Sequence, residues 1–191
     1  MKNIVIFASG AGTNAENIIR YFSNEKKAKV VLVLSNKPQA KALERAAALG
    51  IDVFFFDRRQ FYETEEVLFI LQRRNTDLIV LAGFLWLVPS RILEAYKGRI
   101  VNIHPALLPG FGGKGMYGDR VHKAVLNAHC TESGITIHFV NEHYDSGDII
   151  FQVRCPVLPG DDANTLASRV HALEYEHYPT VISSIIDTLP D

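Results

Sequence analysis

Cysteine is scarce in this chain: two residues in 191, Cys130 and Cys155, with no C-x-x-C spacing. That excludes a disulfide-braced scaffold and a cysteine-rich metal centre, and it suits a reducing compartment. Charge of either sign is not in excess, since 20 Lys and Arg face 21 Asp and Glu for a net charge of −1. No basic field advertises nucleic acid or a membrane surface. No apolar run approaches the roughly 18 to 20 residues of a membrane span. The opening "MKNIVIFASGAGTN" has too short an apolar stretch for a secretory signal. No H-E-x-x-H occurs, so no metal is expected. Internal repeats and low-complexity tracts are missing too. The expected setting is the cytoplasm, without nucleic-acid or membrane partners.

What is present is ordinary globular composition, 48% hydrophobic and 21% charged. Residues 1–191 read as one domain, which at this length buries about 70% of its unfolded-chain surface. Short β-branched runs ("NIVIFA", "KVVLVLSN", "IDVFFFD", "DLIVLAG", "RIVNIHP") alternate with helical patterns, among them one amphipathic segment from Gln60 to Asn75. That alternation predicts an α/β fold: a Rossmann-like, doubly wound, mostly parallel sheet covered on both faces. After His104 the style changes. "GITIHFV" and "DIIFQVRCPV" flank a short "NEHYDSG" and predict a C-terminal antiparallel hairpin. The tail from Asp162 to Asp187 reads as helix, with Pro179 as a break or kink.

The loop "GAGTNA", Gly10 to Ala15, matches G-x-G-x-x-[GA] at the end of the first strand. A dinucleotide site also wants an acid near the end of the second strand, and that strand ends Ser35-Asn36-Lys37. NAD is therefore disfavoured. What remains is either an anion site on a helix N-terminus or a tight turn capped by Thr13 or Asn14. The later "GFGGKG" is no triphosphatase loop, because Gly rather than Ser or Thr follows Lys114.

In "RIVNIHPALLPG" the amide of Asn102 and the imidazole of His104 lie two residues apart on a strand, hence on one face and about 7 Å apart. Both suit a ligand edge, as oxyanion donor and as proton donor or acceptor near neutral pH. Both also suit a core whose polar groups are satisfied. Asp145 in "HYDSGDII" is the candidate partner, expected to raise the His104 pKa if the two meet. Otherwise it forms the turn. His171 and Glu174 share a helix face, while His122 and His138 line a pocket or simply pack. Trp86 follows another strand end.

Taken together, "ASGAGTN", "SNKPQAKALERA", "LAGFLWLVP", "NIHPALLPGFGGKGMYG", "GITIHFV", "YDSGDII" and "RVHALEYEHYP" resemble the formyltransferase superfamily over nearly the whole chain. The length resembles its short, folate-dependent branch acting on glycinamide ribonucleotide in de novo purine (IMP) biosynthesis. A formyltetrahydrofolate deformylase-like hydrolase is the alternative. The resemblance implies small-molecule substrates only, with 10-formyltetrahydrofolate as co-substrate, and a monomer or weak homodimer. It implies Asn102, His104 and Asp145 as the catalytic trio, acting through a tetrahedral intermediate. Gly12, Thr13 and Asn14 would hold the ribonucleotide phosphate, and His171, Ala172, Leu173 and Glu174 the rest of that substrate. Leu85, Trp86, Leu87 and Val88, with Asn102 and with Asn141, Glu142, His143, Tyr144 and Asp145, would bind the folate. Residues 1–100 would then form the phosphate-binding half and 101–191 the catalytic and folate-binding half. Two positions depart from the family pattern the resemblance implies: Trp86 stands where many relatives carry Arg, and Thr64 where some carry a folate-contacting Arg.

Overall fold

The computed structural model describes residues 1–190. Seven strands form one sheet: β1 (Lys2–Phe7), β2 (Ala28–Ser35), β3 (Val53–Phe55), β4 (Leu78–Leu81), β5 (Ile100–His104), β6 (Glu132–Phe139) and β7 (Ile149–Pro156). Their order is β3-β2-β1-β4-β5-β6-β7. The first five are parallel, whereas β6 runs antiparallel to β5 and β7 to β6. The doubly wound sheet and its closing hairpin are as the sequence predicts.

Helices cover both faces: α1 (Thr13–Phe22), α2 (Lys41–Ala48), α3 (Arg58–Tyr62), α4 (Glu66–Arg73), α5 (Ser90–Ala95), α6 (Asp119–Asn127) and α7 (Ala163–Thr188). Side chains alternate across a strand, so β1 feeds two cores. Ile4 and Ile6 pack with Ile18 and Phe22 of α1 and Leu166, Tyr178 and Ile182 of α7. Val5 and Phe7 pack on the other face with Phe56, Phe61, Val67 and Leu71. This two-sided burial is why the strand sequences are continuously apolar.

Two helical expectations differ from the structure. The segment from Gln60 to Asn75 is two helices, α3 and α4, rather than one. The Arg91 guanidinium donates to the carbonyls of Phe61 at 2.6 Å and Tyr62 at 3.1 Å, closing α3. Thr64 Oγ1 then accepts from the Glu66 amide at 3.3 Å as the chain turns into α4.

Pro179 neither breaks nor ends α7, which runs through it for 26 residues. A proline has no N–H for the carbonyl four residues earlier. That carbonyl, on Tyr175, accepts instead from Asn17 Nδ2 of α1 at 2.9 Å. Asn17→Ala is therefore expected to cost about 0.5–1.5 kcal/mol, the usual net worth of one hydrogen bond. Urea midpoints of the two proteins check it, and an unchanged midpoint would mean water serves that carbonyl equally well.

Candidate active site

Strand order reverses between β1 and β4, and in doubly wound sheets the crevice beyond such a switch point receives ligands. Here the loops leaving β1, β4 and β5 open into a cavity of about 880 Å³. Gly10–Asn14 form one wall, Gly83–Leu85 a second, and Asn102 to Pro105 the floor. Residues Gly113–Arg120 close it from the β5–α6 connection, and His171 and Glu174 of α7 complete it.

At the anion end, Gly12 has φ 74°, and a Cβ there would lie 2.3 Å from the Ala42 Cα. Glycine is thus demanded by both the backbone conformation and the approach of α2. No side chain caps α1. The expected capping alternative for Thr13 and Asn14 is not what the fold uses, because both reach across to α7. Asn14 Nδ2 donates to Glu174 Oε2 at 2.8 Å, and Thr13 Oγ1 lies 3.3 Å from His171 Nε2. His171 Nδ1 in turn donates to Glu174 Oε2 at 2.8 Å. The first-turn amides of α1 are left without a side-chain partner, the arrangement by which a helix start receives an anion.

Seven residues past its strand, the carbonyl of Phe111 accepts from His104 Nε2 at 2.8 Å. A carbonyl only accepts, so Nε2 carries the proton and Nδ1 faces Asp145 Oδ2 at 3.5 Å. Asp145 sits at φ 52°, a left-handed conformation that aspartate tolerates better than most residues. It is anchored there by the Gly113 amide, which donates to Oδ2 at 2.9 Å.

The antiparallel register sets His138 opposite Asn102. His138 Nδ1 donates to the Phe139 carbonyl at 2.8 Å, so its Nε2 is free to accept from Asn102 Nδ2 at 3.1 Å. The same Nε2 lies 3.7 Å from Asp145 Oδ1. Asn102, His104, His138 and Asp145 are therefore one cluster.

Its electrostatics correct one expectation. The net effect on His104 is a lowered pKa, because burial of the ring outweighs the opposing pull of Asp145 and of the Phe111 carbonyl. Asp145 raises the His104 pKa only as a partial offset. For Asp145 itself, burial acts upward. The proximity of His138 and His104 and the Gly113 amide overcome it, and its carboxyl is held below the usual aspartate range.

Of the residues implied by resemblance, Gly12, Thr13, Asn14, Leu85, Asn102, His104, Tyr144, Asp145, His171 and Glu174 line the one cavity. Others sit outside it. Trp86 joins an aromatic cluster with Phe56, Phe61, Tyr62 and Phe84. Leu87 supplies a carbonyl to the Tyr62 hydroxyl at 2.9 Å, and Val88 is buried in the core. Asn141 Oδ1 shapes the turn by accepting from the His143 amide and the Ser146 hydroxyl, both at 3.0 Å. Glu142, His143 and Ala172 are exposed, and Leu173 packs on the core. His122 is buried in the cavity wall, with Nδ1 unpartnered among the described residues. The contribution of Gly113–Arg120, including Lys114, was not legible from motif spacing. Alternation placed His138 within a strand, but its pairing with Asn102 depends on a register that local pattern does not reveal.

Among the described residues no group of three His, Cys, Asp or Glu is placed to hold a metal ion. Nor, among the described residues, is any helix long and apolar enough to cross a membrane.

Residues 2–182 match the formyl transferase family. A chloroplastic phosphoribosylglycinamide formyltransferase of Arabidopsis thaliana is 40% identical over 97% of this chain and 66% of its own length. For the chloroplastic protein of that name from Vigna unguiculata the figures are 38%, 97% and 61%. The chain thus spans about two thirds or less of these plant relatives. It spans 95% of the phosphoribosylglycinamide formyltransferase of Bacillus subtilis (strain 168), at 37% identity over 97% of this chain. The crystal structure of a phosphoribosylglycinamide formyltransferase from Anaplasma phagocytophilum superposes with a TM-score of 0.90 at 33% identity. That match covers 98% of this chain and 87% of the other.

Proposed function

The chain belongs to the formyl transferase family, and from that premise we propose that it moves a formyl group from 10-formyltetrahydrofolate to the glycine amine of glycinamide ribonucleotide, a step of de novo purine biosynthesis. The observation that carries this reading is the shared cavity. An uncapped helix start suited to a phosphate opens into the same space as the Asn102–His104–Asp145 cluster. Leu85 and Tyr144 add the apolar wall that a flat heterocycle needs.

The residues present fit both substrates. Gly12, Thr13 and Asn14 would receive the phosphate, and Glu174 a ribose hydroxyl. Leu85, Tyr144 and the 141–145 turn would border the folate. The donor supplies an activated formyl carbon. Attack by the amine nitrogen forms the new C–N bond and drives the carbonyl electron pair onto oxygen. Asn102 Nδ2, held by His138, donates to that oxygen, and one such donor is worth about 3–4 kcal/mol.

His104 enters neutral, because burial keeps its pKa low. Its Nδ1 accepts the proton lost by the amine, becomes imidazolium beside Asp145, and returns the proton to the folate nitrogen as the old C–N bond breaks. Charge thus develops where Asp145 waits for it.

The test is the absorbance of the folate product with and without glycinamide ribonucleotide. Product is expected only when the acceptor is present. Equal release without it would replace the transferase reading by that of a formyltetrahydrofolate hydrolase.

A further inference from the structure

Three buried side-chain atoms have no hydrogen-bond partner among the described residues: Asn14 Oδ1, His122 Nδ1 and Ser133 Oγ. The first two belong to residues that line the active-site cavity. Buried polar groups in folded proteins are nearly always paired, so an orphan in a cavity wall asks what it is kept for. Asn14 is already tied to Glu174 through its Nδ2. The His122 side chain makes no hydrogen bond to any described residue.

His122 lies on α6 beside the core-facing Val121 and Val125, where α6 packs against α7. It is 5% exposed, and that burial pushes its pKa down, so the ring is neutral near pH 7. Among the charges it feels, Glu174 comes first, followed by Asp119 and His104. The ring thus stands between the carboxylate assigned to the ribose and the imidazole assigned to the amine. Nδ1 is walled off, so Nε2 is the polar atom that the cavity edge of the ring presents. With the single proton on Nε2, Nδ1 is left with an unfilled lone pair rather than a buried N–H without an acceptor. A leucine would fill this wall without the desolvation that an unpaired ring nitrogen costs. Packing gives no reason for histidine here, whereas a ligand does.

In glycinamide ribonucleotide a carboxamide joins the ribose to the reacting amine. Its carbonyl oxygen is an acceptor that neither the phosphate loop, nor Glu174, nor the Asn102–His104–Asp145 cluster serves in the reading above. Resting on that reading of the acceptor substrate, we propose that His122 donates from Nε2 to the carboxamide oxygen and so aims the amine at the formyl carbon. His122 holds the substrate and exchanges no proton with it.

Calorimetric titrations would compare glycinamide ribonucleotide with ribose 5-phosphate, which keeps the phosphate and sugar but lacks the carboxamide. The unaltered protein is expected to bind the ribonucleotide more tightly. His122→Leu should weaken the ribonucleotide about tenfold, the upper worth of one neutral hydrogen bond, and leave ribose 5-phosphate unchanged. His122→Gln, whose amide also donates, should recover part of the loss. The urea midpoint of His122→Leu should equal or exceed that of the unaltered protein, because an orphaned polar atom is gone. Equal weakening of both ligands, or a lowered midpoint, would mean that the ring is kept for packing. No weakening of the ribonucleotide would mean that it has no role, and any of these overturns the proposal. If the unaltered protein binds the two ligands equally, the carboxamide has no holder and this proposal alone falls. If it binds neither, the ribonucleotide reading of the cavity falls and takes the proposal with it.

Discussion

Asp145→Asn is expected to lower turnover about 10²–10⁴-fold, the range of positioned acid–base catalysis, with substrate KM values little changed. The substitution keeps the turn and an oxygen acceptor for the Gly113 amide, so the loop is not asked to refold. What disappears is the negative charge 3.5 Å from His104 Nδ1. Of the influences on His104, burial lowers its pKa and Asp145 opposes that lowering. Removing Asp145 therefore lowers it further.

If neutral His104 is the active form, kcat/KM falls as pH drops through the His104 pKa, itself below the ordinary value of about 6.5. In Asp145→Asn that acidic limb should move to lower pH while the plateau drops. A limb that stays put, or moves upward, would break the pairing of the two residues. A normal plateau with an intact fold would remove Asp145 from the chemistry.

Phe56→Ala is expected to cost about 3–5 kcal/mol, a large share of the roughly 5–15 kcal/mol by which a domain is stable. Phe56 is fully buried, stacks on Phe61 at 4.9 Å, and meets Phe7, Phe84 and Trp86 at 5.8, 6.1 and 6.2 Å. Few of these rings can shift to fill the space, because Phe7 belongs to a central strand and Phe61 to a helix closed by Arg91. Chemical denaturation measures the loss. Red-shifted Trp86 emission in the still-folded variant would show the cluster loosening toward solvent. A cost under about 1 kcal/mol would mean the aromatic layer collapses freely.

The strands, the mostly parallel character of the sheet and the closing hairpin were legible in the sequence because they rest on local patterns. Continuous apolar runs mark strands buried on both faces, and a short Gly- and Asp-bearing turn marks a hairpin. The placement of Asn102 and His104 on one face follows equally from the two-residue repeat. Helix ends were less legible: α3 stops where Arg91, about 30 residues on, takes its carbonyls, and α7 survives Pro179 because Asn17 of another helix serves the freed one.

The candidate site belonged still less to the sequence. Alone, it left Asn102 and His104 open to a reading as satisfied core groups, and left Asp145 open as a turn former. Tertiary structure brought Asp145 to His104 across 41 residues of chain, set His138 opposite Asn102, and carried Trp86 out of the cavity into an aromatic layer. It also decided the direction of the His104 pKa. Neighbours along the chain determine which way a side chain faces, whereas its proton affinity depends on burial and on charges delivered by distant segments, and those exist only once the chain has packed.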